Sequence, residues 1–216
     1  MEVPIDTKCP GEYTGSTMST TREYRMVRRG AAVAATRERI LAATIELGYE
    51  ELDLEPTLER VAARAGVSVQ TVLRRFGSRA ALLDEALAAA QAAVAEQRLP
   101  EGHDPLVALL EHYRLRGAFS LRMLAREDTD PRAAEVTTGG KRLHRDWVST
   151  AFGPRLSLHD PDRVEALTDL LVVATDVYAW KLLALDRRLP EPVVLDRMRT
   201  LVDAILAPHR TEGAPS

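Results

Sequence analysis

Between Arg60 and Leu83 stand five arginines and no carboxylate, in a segment bounded by Glu59 and Asp84. The chain as a whole carries a net charge of -3, so this stretch is a local anion-facing patch in an acidic protein. Its apolar residues restrict the fold further. Leu58, Val61, Ala62 and Ala65 fall at helical spacing, and after Gly66 the spacing returns in Val69, Val72, Leu73 and Phe76. Two short helices result, each with one buried face. Gly66 can take the positive φ that turns the chain, and Ser68 can accept a backbone N–H at the start of the second helix. This pattern predicts a helix-turn-helix.

With Val72 and Phe76 inward, Gln70, Thr71, Arg74 and Arg75 lie on the other faces of the second helix. Arginine can bond guanine O6 and N7, glutamine can bond adenine N6 and N7, and threonine or arginine can hold phosphates. Gln70 with Arg74 or Arg75 is expected to read bases, while Thr57, Thr71 and Arg79 are expected to hold backbone. A symmetric dimer would set two such helices on successive major-groove faces, and the operator would be a palindrome.

The order Val61-Ala62, Ala65-Gly66-Val67-Ser68, a short helix ending at Phe76, and Ser78-Arg79-Ala80-Ala81-Leu82-Leu83 resembles the DNA-binding core of the tetracycline-repressor (TetR) family. The resemblance implies a transcriptional regulator, with candidate DNA contacts at Thr57, Ser68, Val69, Gln70, Thr71, Leu73, Arg74, Arg75 and Arg79. The chain departs from the family pattern at Leu73, where a tyrosine is usual, at Arg75 for histidine and at Arg79 for lysine. Leucine cannot make the phosphate contact of a phenol, which leaves Arg74 or Arg75 to replace it. Upstream, Gly48 stands where the family has an aromatic and Leu52 where it has glycine.

Alanine and leucine dominate a composition that is 45% hydrophobic and 5% aromatic, which favours helix. The reading is all-α: a three-helix reader over residues 34–80, then a larger helical body over 81–208. Residues 1–33 read as a disordered arm, basic over Arg22–Arg29, and 209–216 as a tail. A first helix is expected from about Ala35 to Leu47, Thr57 is a candidate N-cap, and Ser78 caps a helix running to about Gln97. Asp104-Pro105, Asp130-Pro131 and Asp160-Pro161 are three further helix starts, since Asp satisfies a free N–H and Pro has none to leave unpaired. Gly139-Gly140 divides the helix after Asp130 in two. A continuous stripe from Leu167 to Leu185 and another from Val194 to Ile205, parted by Leu189-Pro190-Glu191-Pro192, predict a final antiparallel pair.

The resemblance implies that this last pair forms the homodimer and that the body holds a small-molecule effector. The large side chains available there are Tyr113, Phe119, Met123, Trp147, Tyr178 and Trp180, with Arg116 and Asp176 as polar anchors. For each alone, core packing is the plainer role. Asp176, within an apolar stripe, needs a partner if buried. A constitutive or architectural DNA-binding protein whose body only dimerises is the competing reading.

Catalysis finds no motif. His103, His112, His144, His159 and His209 lack metal-ligand spacing and read as surface or capping residues, and no cofactor or metal is expected. Cys9 is the one cysteine, so no disulfide framework exists. With no secretory start and no bilayer-length apolar run, a bacterial cytoplasmic protein, on the nucleoid when DNA-bound, is expected.

Overall fold

The computed structural model describes residues 17–99 and 102–208, with side chains from residue 31 onward. Among these residues the chain is helical, without strands. The long α1 (Thr17–Glu51) leads to α2 (Leu58–Ala65) and α3 (Val69–Phe76), and α4 (Arg79–Arg98) carries the chain out to the body. There α5 (Pro105–Leu124), α6 (Pro131–Ala151), the single turn α7 (Gly153–Leu156), α8 (Pro161–Ala174), α9 (Val177–Trp180) and α10 (Glu191–Ile205) pack together. No described helix is long and apolar enough to cross a membrane.

Local chemistry sets most of these boundaries. Thr57 accepts the N–H of Arg60, Ser68 that of Thr71 and Ser78 that of Ala81, so three successive helices start on a hydroxyl cap. Asp104, Asp130 and Asp160 cap α5, α6 and α8 with proline at the first helical position. Gly66 sits at φ +65°, and the next N–H, of Val67, returns to the Ala62 carbonyl at 3.0 Å. That left-handed residue closes α2 and turns the chain into α3.

Two apolar clusters result. Ile40, Leu47, Val61, Ala62, Val72, Phe76 and Leu82 are buried together around the helix-turn-helix. A larger cluster joins Leu109, Tyr113, Trp147, Leu171, Trp180 and Met198 across α5, α6, α8, α9 and α10. Between them Arg37 lies 4.5 Å over the Phe76 ring and pairs with Glu85, tying α1 to α3 and α4.

The structure corrects the sequence reading at three places. First, α1 begins at Thr17, inside the segment read as a disordered arm, and continues through Arg22–Arg29. Arginine and methionine there are strong helix formers that extend a helix already nucleated against the core. Residues 1–16, the side chains of 17–30, and 209–216 lie outside the described residues. Second, α6 runs unbroken through Gly139-Gly140. A Cβ on Gly139 would lie 2.0 Å from Gln91 Nε2, so the glycine serves the close approach of α6 to α4. Third, the stripe Leu167–Leu185 is not one helix. It breaks at Thr175 and Asp176, where the Thr175 hydroxyl donates to Leu171 O at 2.7 Å and Asp176 accepts the Tyr178 N–H at 2.8 Å. The chain restarts as α9 and widens into a π-helical turn over Lys181–Asp186.

Candidate nucleic-acid interface and adjoining cavity

The amphipathic pattern orients α3. Val72 and Phe76 are buried, Val69 is half-buried against the same cluster, and Gln70, Leu73 and Arg74 face outward. Thr71 lies beside the cap, its hydroxyl 2.9 Å from that of Ser68, and Thr57 stands exposed at the start of α2. Polar groups at two helix N-termini thus flank an exposed helix face, an arrangement that suits phosphates beside base edges.

The five arginines divide by partner. Arg60 pairs with Glu51 and Asp53, and Arg64 with Glu50 at 2.9 Å and Glu51 at 3.0 Å, all on the end of α1 or just beyond it. Arg79 departs from its expected phosphate role. Its Nε donates to Pro56 O at 2.9 Å and its terminal nitrogen to Glu55 O, so it clamps the loop that presents Thr57. Arg74 and Arg75 alone of the five have neither a carboxylate nor a carbonyl partner for their guanidiniums among the described residues, and both are on α3. The anion-facing patch is narrower than the sequence suggests, because α1 brings acids that are distant in sequence onto α2.

Behind the reader lies a cavity of about 310 Å³. Its walls come from α1 (Thr44, Ile45, Tyr49), the loop into α2 (Leu54, Pro56), α4, α5, α6 and the start of α9. Tyr49 bridges the two halves: its ring meets Phe119 edge-on at 4.7 Å, and the Arg116 guanidinium lies 3.5 Å above it. Burial, against the attraction of Arg116, raises the Tyr49 phenol above its ordinary range.

Residues 40–86 match the family model of bacterial regulatory proteins, tetR family. That span contains the capped α2, the Gly66 turn, α3 and the first turns of α4. The helix-turn-helix is therefore that of the tetR family of bacterial regulatory proteins, and it marks the chain as a DNA-binding regulator of transcription. The fold as a whole is similar to that of a transcriptional regulator from Rhodococcus sp. Rha1, at 22% identity and a TM-score of 0.54 over 79% of this chain and 95% of that one. No curated protein matches the sequence.

Six of the eight residues considered for an effector line the cavity: Tyr113, Arg116, Phe119, Met123, Asp176 and Tyr178. Trp147 and Trp180 do not. Trp147 is buried with its indole N–H donating to Arg98 O at 3.0 Å, and Trp180 packs over Gly117, where a Cβ would meet Cζ3 at 2.5 Å. Both large rings fill the body's core because they bury the most apolar area there. Asp176 is half-exposed and serves as the cap of α9.

Sequence reading missed the polar groups of the cavity wall. His112 and His144 are buried, contrary to their reading as surface or capping residues, and Arg98 is only 6% exposed. Burial, reinforced by the charges of Arg98, Arg116 and His144, pushes the His112 imidazole down to about 3. Burial and then Arg98 push His144 to about 4, against its bond to the Val172 carbonyl. Both rings are neutral at physiological pH. The faint signal for Arg98 in the sequence was its place at the end of an otherwise alanine-rich helix.

Proposed function

We propose that this regulator is a ligand-responsive repressor that binds a palindromic operator as a homodimer. The observation that carries the ligand part is the shared cavity wall. Side chains of α1 and of the Leu54–Pro56 loop face the same space as those of α5, α6 and α9. A molecule that fills it touches the reader and the body together and favours whichever relative position it fits best. Where that position misplaces the two α3 helices, ligand binding and DNA binding oppose each other, with a reciprocal coupling energy. A purely constitutive role would be served by a packed interface.

Base reading is assigned to Gln70 with Arg74 or Arg75, phosphate contact to Thr57 and Thr71, and the division into reader and body to residues 34–80 and 81–208. Ser68 contributes chiefly as the α3 cap, and Val69 and Leu73 by apolar contact at the rim. The dimer is assigned to the last helices, supported by Leu170, Val173, Leu182, Leu185 and Leu201, all large apolar side chains left exposed there. The role is binding and not catalysis, in the cytoplasm and on DNA.

Selection of sites from a randomised duplex pool tests this reading. Wild type should recover a palindrome that Gln70→Ala with Arg74→Ala loses. An asymmetric, monomer-sized site, or the same palindrome from the double variant, overturns it.

A further inference from the structure

Charge inside the cavity is unbalanced. Of its charged wall residues, Asp53 pairs with Arg60, Arg132 with Asp84 and Glu135, and Lys141 with Glu127. Arg98, Arg116 and Asp176 have no ion-pair partner within 4.0 Å among the described residues. Two guanidiniums against one carboxylate leave one surplus positive charge. Arg116 lies half-exposed over Tyr49, but Arg98 is 94% removed from solvent by its 6% exposure.

The hydrogen bonds around Arg98 are incomplete. A terminal nitrogen reaches His144 Nδ1 at 3.4 Å, and its Nε has no partner. His144 Nε2 faces the Val172 carbonyl at 3.4 Å and the Thr175 hydroxyl at 3.2 Å. A carbonyl only accepts, so Nε2 carries the proton and Nδ1 is the acceptor that Arg98 meets. His144 is therefore satisfied. His112 is not, since its Nδ1 is buried without a partner. The Arg98 guanidinium also meets Tyr113, whose ring centre lies 5.6 Å away, and Asp176 attracts it electrostatically, but one oxygen of that carboxylate is spent on the α9 cap.

Buried guanidiniums are retained where a carboxylate or phosphate completes them, and the fork of Arg fits a carboxylate. We propose that the cavity takes a small amphipathic monocarboxylate, its head held by Arg98 with His112 Nδ1–H as a second donor. Its apolar body lies among Leu83, Leu87, Met123 and Val136. A single negative charge matches the surplus. A volume of about 310 Å³ is at the lower end of ligand sites, which run from about 300 to 1,000 Å³, and suits a small ligand. The proposal rests on the effector reading and specifies its chemistry.

Isothermal titration of the full-length protein with octanoate and decanoate, and with octanol, decanol and octanamide as neutral probes, tests it. The acids should bind roughly ten- to a hundred-fold more tightly than the matched neutral compounds, and Arg98→Met should abolish that preference while still accepting the alcohols. Equal binding of acids and alcohols to wild type overturns the monocarboxylate and leaves the effector cavity standing. Binding of neither class at millimolar concentration overturns both. The comparison on wild type decides the matter even where Arg98→Met fails to fold.

Discussion

Acid should destabilise the body of this protein through two histidines that no ion pair holds. In the unfolded chain each imidazole titrates near the ordinary value of about 6.5. In the folded chain His112 is pushed down to about 3 and His144 to about 4. Below about pH 6.5 the unfolded state binds protons that the native state refuses, so stability falls as pH falls. The loss begins near the unfolded value and ends only near the folded ones. One pH unit on this slope is worth about 1.4 kcal/mol per group, so at about pH 5 each histidine has removed about 2 kcal/mol. Together they remove about 4 kcal/mol from a total of typically 5–15 kcal/mol. Both tryptophans, Trp147 and Trp180, sit in the same cluster as the histidines' neighbours, so indole fluorescence reports on the affected region. Urea titrations at about pH 7.5 and about pH 5, on wild type and on His112→Gln and His144→Gln, isolate the effect from that of surface carboxylates. Each variant should lose about 2 kcal/mol less than wild type between the two conditions. An identical loss in wild type and both variants would refute the buried neutral imidazoles.

Four further outcomes are expected. Arg74→Gln should lower the slope of log affinity for DNA against log salt by about one, while Arg79→Gln, whose guanidinium is committed to Glu55 and Pro56, should leave it unchanged and lower the melting temperature instead. A slope change for Arg79→Gln would restore its phosphate role. Gly117→Val should cost about 1–3 kcal/mol in thermal unfolding, because its Cβ meets the Trp180 ring at 2.5 Å, and an unchanged melting point would mean that the ring gives way freely. Gly66→Ala, forced to φ +65°, should cost about 1–2 kcal/mol and weaken operator binding with it. Val173→Glu, at a site 68% exposed, should turn a dimer into monomers in sedimentation and weaken DNA binding in step; a persistent dimer would move the interface elsewhere.

Gly48 and Leu52, the two departures upstream of the reader, resolve in a way the sequence did not announce. Tyr49, one residue on from Gly48, supplies the aromatic that meets Phe119, and Leu52 adopts the left-handed φ of +55° itself. A non-glycine residue there costs about 1–2 kcal/mol, which the surrounding packing offsets.

What the sequence determined by itself is local. The hydroxyl and Asp-Pro caps, the glycine turn and the buried faces of α2 and α3 depend on groups within a turn or two of one another, so spacing alone exposes them. The tertiary structure decided which charges remain free. Glu46, Glu50 and Glu51 neutralise Arg64 from across a turn, and only packing shows that Arg74 and Arg75 are the pair left without a partner, Arg74 exposed and Arg75 half-buried. The buried network is further still from the sequence: Arg98 meets His144 across 46 residues, and the Trp147 indole reaches the Arg98 carbonyl across 49. Helical periodicity gives the face on which a residue lies and not the neighbour that face will meet. An arginine ending an alanine-rich helix therefore reads as solvated until α5, α6 and the chain around Thr175 close over it.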